Sequence, residues 1–308
     1  MKEVSKTFPS SSGISSIAFY EFIPETDAKG IIQISHGMCE GIWRYKDFAS
    51  YLCSLGYIVC GHDHAGHGNS VKNNDELGYF AHKNGYKCLI KDVHTASMII
   101  KKDFPNIPIC LLCHSMGSFI ARACLAEYHS IWDASVIIGT SGGSPMIKLG
   151  IMTASLTAKI KGERYRSPLL QKLSFGNYNK NFEPHKSEFD WLSSDEEVVK
   201  AYEAEPKCSF VFTASAFKDL FKLLNLVSKP SWADSIEKDM PILLTAGDKD
   251  PVGNNGKGVE KVFKRLKKAG VEDVSIRLYE NGRHEILNEV NKQEVYLDIS
   301  NWLSEKFV

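Results

Sequence analysis

The sequence has no surplus of either charge: 37 lysines and arginines stand against 37 aspartates and glutamates in 308 residues. Such a balance leaves no basic stripe to hold phosphates, which argues against a nucleic acid as the main partner. No apolar run approaches the ~20 residues of a membrane-spanning helix. The opening Met1-Lys2-Glu3-Val4-Ser5-Lys6 begins no apolar signal segment either, so the expected compartment is cytoplasmic. There are no internal repeats and no low-complexity tracts. Cysteine is present but lacks a framework pattern. The eight fall at 39, 53, 60, 88, 110, 113, 124 and 208, several of them in apolar segments. Free cysteine behaves there as a small hydrophobe. Cys110 and Cys113 have a C-x-x-C spacing, but residues three apart on a strand point to opposite faces. Neither a shared metal nor a disulfide is expected, as suits a reducing interior.

What is present is an alternation of strands and helices. Hydrophobic content of 43% and charged content of 24% are ordinary for a globular chain. Residues 3–8 and 14–23 read as a strand pair. Buried strands follow at Gly30–Ser35, Tyr57–Cys60, Ile107–Leu112, Ala134–Gly139, Pro241–Ala246 and Val274–Tyr279. Between them, helical spacing runs through Trp43–Leu52, Lys87–Lys102, Phe119–Leu125 and Gly256–Lys268. A closing helix is expected over 285–306, with Ile286, Leu287, Val290, Val295, Tyr296 and Ile299 inward. This rhythm predicts an α/β fold with parallel strands joined by right-handed crossovers. It stops between 145 and 232, where helical patterns dominate. A start near Ser193-Ser194-Asp195 and a helix over Phe210–Leu226 are expected there. The expected division is a core of 1–144 with 233–308, and an inserted, mostly helical cap of 145–232.

Three chemically apt residues follow strands. Ser115, in Cys113-His114-Ser115-Met116-Gly117, sits where a buried strand turns abruptly into a helix. Such a turn lifts a hydroxyl out of the sheet beside helix N–H groups. Asp250 lies in Gly247-Asp248-Lys249-Asp250-Pro251, with Asp248 as a competitor, and His284 follows the last strand. A serine is a weak nucleophile until an imidazole takes its proton, and a carboxylate fixes that imidazole. Backbone N–H groups of Met38 and Met116 are the expected oxyanion donors. His62-Asp63-His64-Ala65-Gly66-His67-Gly68-Asn69-Ser70 offers three histidines and a carboxylate. Its glycines mark a tight turn, so a structural role is expected and no metal or other cofactor is called for.

With these marks the chain resembles the α/β-hydrolase superfamily, in its monoacylglycerol lipase and lysophospholipase-like branch, akin to serine aminopeptidase-type hydrolases. The marks are His36-Gly37, Asp63-x-x-Gly66-His67-Gly68-x-Ser70, His114-Ser115-Met116-Gly117, Gly247-Asp248-Lys249-Asp250-Pro251-Val252 and His284-Glu285-Ile286-Leu287. The family has glycine where this chain has Cys113, and arginine where it has Ala65. The resemblance implies a Ser115–Asp250–His284 triad acting on a small-molecule acyl ester, plausibly a monoacylglycerol or lysophospholipid. An aminopeptidase or amidase, using Glu183, Glu188, Asp190 or Asp195 to hold an ammonium, is the alternative. An acyltransferase and a non-catalytic binding protein are further ones. Weak peripheral membrane contact through the apolar cap is also expected. The oligomeric state is left open by the sequence.

Overall fold

A computed structural model describes residues 1–307. The strands are β1 (Lys2–Pro9), β2 (Ser16–Ile23), β3 (Gly30–Ser35), β4 (Tyr57–His62), β5 (Ile109–His114), β6 (Ala134–Ile138), β7 (Ile242–Gly247) and β8 (Val274–Tyr279). Among the described residues they form one eight-stranded sheet in the order β1-β2-β4-β3-β5-β6-β7-β8. The β1–β2 hairpin is antiparallel and joins β4 antiparallel. From β4 to β8 all pairings are parallel.

The helices are α1 (Lys46–Ser54), α2 (Gly85–Asp103), α3 (Met116–Glu127), α4 (Ile147–Lys161), α5 (Pro168–Phe175), α6 (Glu196–Ala204), α7 (Ala214–Ser228), α8 (Ser231–Asp234), α9 (Lys257–Lys268) and α10 (Lys292–Lys306). They explain why the central strands are apolar at nearly every position. Successive side chains point to opposite faces, and both faces are covered. Ile31, Leu111 and Ile137 face Val93 of α2, Ile120 of α3 and Val259 of α9. Ile32, Leu112 and Val136 face Phe48 of α1 and Ile299 of α10. Cys110 and Cys113 fall in these two different layers, and all eight cysteines are free.

Several element boundaries differ from the expected ones. The first helix is preceded by a 3-10 turn, Ile42–Tyr45. The closing helix starts only at Lys292, after a short 3-10 turn at Ile286–Asn288, and Val290 is 72% exposed instead of inward. The cause is tertiary: the Glu289 carboxylate accepts from the backbone N–H groups of Ser194 and Arg283, which pins the chain in a turn there. Ser193 and Ser194 are drawn into that same contact, leaving Asp195 to cap α6 through Glu197 N–H at 3.0 Å. The last long helix before β7 begins after Phe210–Thr213. Thr213 pairs with Arg166 as an isolated bridge and caps α7.

Two features set up the site. First, β3 lies between β4 and β5, so the chain winds away from it in both directions. The loops after β3 and β5 diverge and leave a crevice at the strands' carboxyl ends, where ligands bind in open parallel sheets. Second, α3 crosses closely over the end of β3. A Cβ at Gly117 would lie 2.0 Å from Ser35 O and 2.5 Å from His36 O. Backbone cannot yield as a flexible side chain would. Gly117→Ala is therefore expected to cost about 3 kcal/mol or more, read from urea unfolding. A wild-type midpoint would contradict this crossing.

Candidate active site

Ser115 occupies the crevice in a costly conformation. Its backbone has φ 52° and ψ −121°, a region where a non-glycine residue stores about 1–3 kcal/mol of strain. Hydrogen bonds hold the turn from both sides. Ser115 N–H donates to Ile138 O at 3.0 Å, and Ser115 O accepts from Ser118 N–H at 2.9 Å and Ser118 Oγ at 2.5 Å.

Asp250 and His284, from the loops after β7 and β8, meet directly. His284 Nδ1 lies 2.9 Å from Asp250 Oδ1, with both side chains buried. An ionised carboxylate only accepts, so Nδ1 carries the proton and Nε2 keeps its lone pair. Val252 N–H also donates to Asp250 Oδ1 at 2.9 Å. Asp248, the competing acid, instead accepts from Asn281 N–H at 2.8 Å and pairs with Lys249. Space beside the imidazole depends on a missing side chain: a Cβ at Gly139, whose φ is +60°, would sit 3.1 Å from the His284 ring.

Ser115, His284, Met38 and Met116 line one cavity of about 1370 Å³. Among the described residues no hydrogen bond joins Ser115 Oγ to His284, so the structure brings the acid to the histidine and places the serine in the same cavity without a bond to it. Such bonds commonly tighten only when substrate is seated. The expected oxyanion amides also open here. Among the described residues neither Met38 N–H nor Met116 N–H has a partner. The peptide carrying Met38 N–H is fixed at its other end, where His36 Nδ1 donates to Gly37 O at 2.8 Å. His36 Nε2 accepts from His64 N–H at 2.9 Å, so the proton must be on Nδ1.

Behind these groups runs a charged network that the sequence reading missed. Glu40 is buried. Its Oε1 accepts from Gly37 N–H, from Tyr45 OH at 2.8 Å and from His114 Nδ1 at 3.3 Å. Its Oε2 accepts from Arg44 Nη1 at 3.1 Å, and Arg44 grips Glu285 with both terminal nitrogens. His114 Nε2 reaches His284 O at 3.2 Å. The loops carrying Met38, Ser115 and His284 are thus tied through one buried cluster. Burial alone would push the Glu40 carboxyl up, but the hydrogen bond and charge of His114, then Arg44, bring it well below the usual range. Burial would likewise lower His114, and the hydrogen bond to Glu40 and its charge outweigh that and raise it. The available signal was an i,i+4 Glu-Arg pair, Glu40 and Arg44, beginning three residues after Gly37.

His36, His62, His64 and His67 form a second buried group beneath the β3 loop. His64 Nδ1 meets His62 Nε2 at 3.2 Å, and its Nε2 meets His36 O at 3.2 Å. Among the described residues no three His, Cys, Asp or Glu side chains are arranged to hold a metal ion. Burial drives His36 and His62 down to about 3 and His67 to about 4, and it takes His64 well below its ordinary value.

An open, mainly parallel sheet carrying a strained serine after one strand and a buried aspartate–histidine pair after two later ones is the arrangement of an α/β-hydrolase. A family model described as serine aminopeptidase, S33 matches residues 26–291, and the chain belongs to that family. It is 29% identical over 296 residues to a monoacylglycerol lipase of Mycolicibacterium smegmatis, covering 93% of this chain and 92% of that one. It is 28% identical over 289 residues to human monoglyceride lipase, covering 92% and 85%. A solved carboxyl esterase from Bacillus coagulans, in complex with glycerol, superposes with a TM-score of 0.94 over all of both chains at 26% identity. The chain is a carboxylic-ester hydrolase.

The histidine group sets a pH limit. Unfolded histidines bind protons below about pH 6.5, whereas these four stay neutral in the fold until lower pH. Below 6.5 the unfolded chain therefore binds more protons, and stability falls as pH falls. Each such histidine contributes about 1.4 kcal/mol per pH unit once the pH is well under 6.5. His114, raised in the fold, is protonated in both states well below pH 6.5 and adds no slope there; its contribution is lost only as pH rises above 6.5. Urea midpoints should be highest near pH 6.5 and drop steeply between pH 6 and 4.5. A flat profile there would contradict a neutral buried group.

Proposed function

We propose that the protein hydrolyses the ester of a monoacylglycerol, or of a lysophospholipid with a similar single acyl chain, through an acyl-enzyme on Ser115. His284 takes the Ser115 proton as Oγ attacks the carbonyl carbon, and returns it to the departing alcohol oxygen. Asp250 holds the imidazole and stabilises its protonated form. The Met38 and Met116 N–H groups bind the tetrahedral oxyanion. A water, deprotonated by His284, then releases the fatty acid. The observation carrying this reading is His284, held by the buried Asp250, opening onto the same cavity as the strained Ser115. The cavity suits an acyl chain: Phe119, Ile147, Phe175, Leu220, Phe221 and Leu224 line it. The names of the lipase relatives support the substrate class.

The division into a core of 1–144 with 233–308 and a cap of 145–232 belongs to the same proposal, with α4 to α7 in the cap. Of the acids that an aminopeptidase would need there, Asp195 caps α6 and Asp190 accepts from Lys186 N–H. Glu183 and Glu188 line the cavity, but the Glu183 side chain is 61% exposed and paired with His185. That environment favours the ester reading. A cytoplasmic location fits the free thiols.

The cap also supports contact with a lipid surface. Along α4, Leu149, Met152, Leu156 and Ile160 recur at helical spacing and are exposed, beside Leu169 and Leu173 of α5. Leu149 and Leu173 reach the cavity lining, so this stripe runs to its mouth. Among the described residues no helix is long and apolar enough to cross a membrane, so the contact proposed is peripheral.

Ser115→Ala should abolish turnover while leaving the fold intact, tested on short p-nitrophenyl esters, a monoacylglycerol, a lysophospholipid and an aminoacyl anilide. Wild type should prefer the long-chain lipids. Full activity in Ser115→Ala, or preference for the anilide, would refute the proposal. Met152→Asp with Ile160→Asp should cut hydrolysis of a monoacylglycerol in vesicles about tenfold, a change of about 1.4 kcal/mol in surface affinity. Turnover of a soluble short ester should be untouched. Equal losses on both would argue against the surface contact.

A further inference from the structure

A cation is buried behind the nucleophile turn. Arg122, on α3, is completely enclosed, and among the described residues no carboxylate pairs with it. Its Nη1 donates to Thr140 Oγ1 at 3.2 Å and Ser141 O at 2.9 Å, and its Nη2 to Val227 O at 2.5 Å. The guanidinium lies 4.2 Å from the Trp232 ring centre, and its Nε has no partner.

The protons downstream of Arg122 can run in only one direction. An arginine N–H can only donate, so Thr140 Oγ1 accepts from Arg122. Ser118 Oγ lies 2.8 Å from Thr140 Oγ1 and 2.5 Å from Ser115 O. Its single proton goes to the carbonyl, the shorter contact and one that can only accept, so the contact with Thr140 uses the Thr140 proton. That carbonyl belongs to the peptide whose opposite end is Met116 N–H.

We propose that Arg122 is a positioning residue for the oxyanion site, acting through Thr140 and Ser118 to fix and polarise the Ser115–Met116 peptide so that Met116 N–H becomes a stronger donor. The inference rests on the reading of Ser115 as nucleophile and of Met116 N–H as an oxyanion donor. Hydrogen bonds aligned head to tail reinforce one another by roughly 10–30% per bond. A preorganised cation in a dry interior also favours negative charge developing nearby far more than it would in water.

Stability alone does not account for an arginine here. Removing a cation from water is costly, and a well-packed apolar side chain avoids that cost. Val227 O, at the carboxyl end of α7, offsets part of it through the helix dipole. Burial, then the charge of Arg265, lower the Arg122 pKa to about 9, which still leaves it charged at neutral pH. Arg122 also ties Ser141, just after β6, to Val227, so the test must separate this stitching from the relay.

Arg122→Met, Arg122→Lys, Thr140→Val and Ser118→Ala would be compared with wild type on a soluble p-nitrophenyl ester, with thermal unfolding alongside. Arg122→Met, Thr140→Val and Ser118→Ala should each lower kcat about tenfold with KM within about twofold. Arg122→Lys should retain part of the rate. In parallel, the adduct of each protein with a carbonyl-13C trifluoromethyl ketone is titrated by NMR. Its oxyanion should become about tenfold less acidic in Thr140→Val. Thr140→Val leaves the Arg122 bonds to Ser141 and Val227 in place, so it decides the matter even if Arg122→Met does not fold. Unchanged kcat and adduct titration in Thr140→Val and Ser118→Ala would overturn the proposal, whatever the melting temperatures. Full turnover in Ser115→Ala, or no adduct in wild type, would overturn the underlying reading instead.

Discussion

The strained peptide at Ser115 is the constraint around which the other parts are arranged. A side chain at φ 52° and ψ −121° persists only where its surroundings leave no relaxed alternative. β5 supplies the first part of that confinement, since it is buried at every position between β3 and β6. The bare backbone of Gly117 supplies the second, by letting α3 descend onto the end of β3. Ile138 O and Ser118 supply the third, gripping the turn on either side of the serine. Cys113, where the family has glycine, fits without disturbing this arrangement because its Sγ packs inward near Val136 O at 3.4 Å.

Two different electrostatic solutions surround the turn. On the His284 side, Glu40, Arg44, His114 and Glu285 form a cluster of opposite charges whose members satisfy one another. Breaking one member of such a cluster leaves an uncompensated buried charge. On the α3 side, Arg122 has only neutral oxygens and an indole face. The first cluster joins three loops that are distant in sequence. The second leaves a net positive charge connected through Thr140 and Ser118 to the Ser115 carbonyl. Both peptides proposed to bind the oxyanion are held by their carbonyls, Gly37 O by His36 and Ser115 O by Ser118.

The strands, their parallel pairing and the positions of Ser115, Asp250 and His284 after them were legible because each depends on local pattern: an apolar run, a turn, then a polar residue. Asp250 was preferred to Asp248 on the same local grounds, and it is the one that lies 2.9 Å from His284 Nδ1. Glu40, Arg44 and Arg122 were not legible, because what gives them meaning lies far along the chain. Arg44 meets Glu285 across 241 positions, and Arg122 meets Val227 across 105. The boundary errors have the same origin. Ser193 and Ser194 are good caps in isolation, but Asn288 and Glu289 compete for their hydroxyls, and the helix start moves to Asp195. Val290 fits an apolar stripe on paper and faces solvent because the chain is still turning when it reaches that position.

The segment between β6 and β7 leaves and rejoins the sheet through a narrow doorway. A Cβ at Gly143, on the way out, would lie 2.2 Å from Ser228 Oγ, at the end of α7 on the way back. Because its two ends nearly touch, almost any folded stretch with close termini could occupy the same place without altering a single strand pairing. Evolution can therefore exchange or reshape what lies over the cavity while the machinery below stays in register.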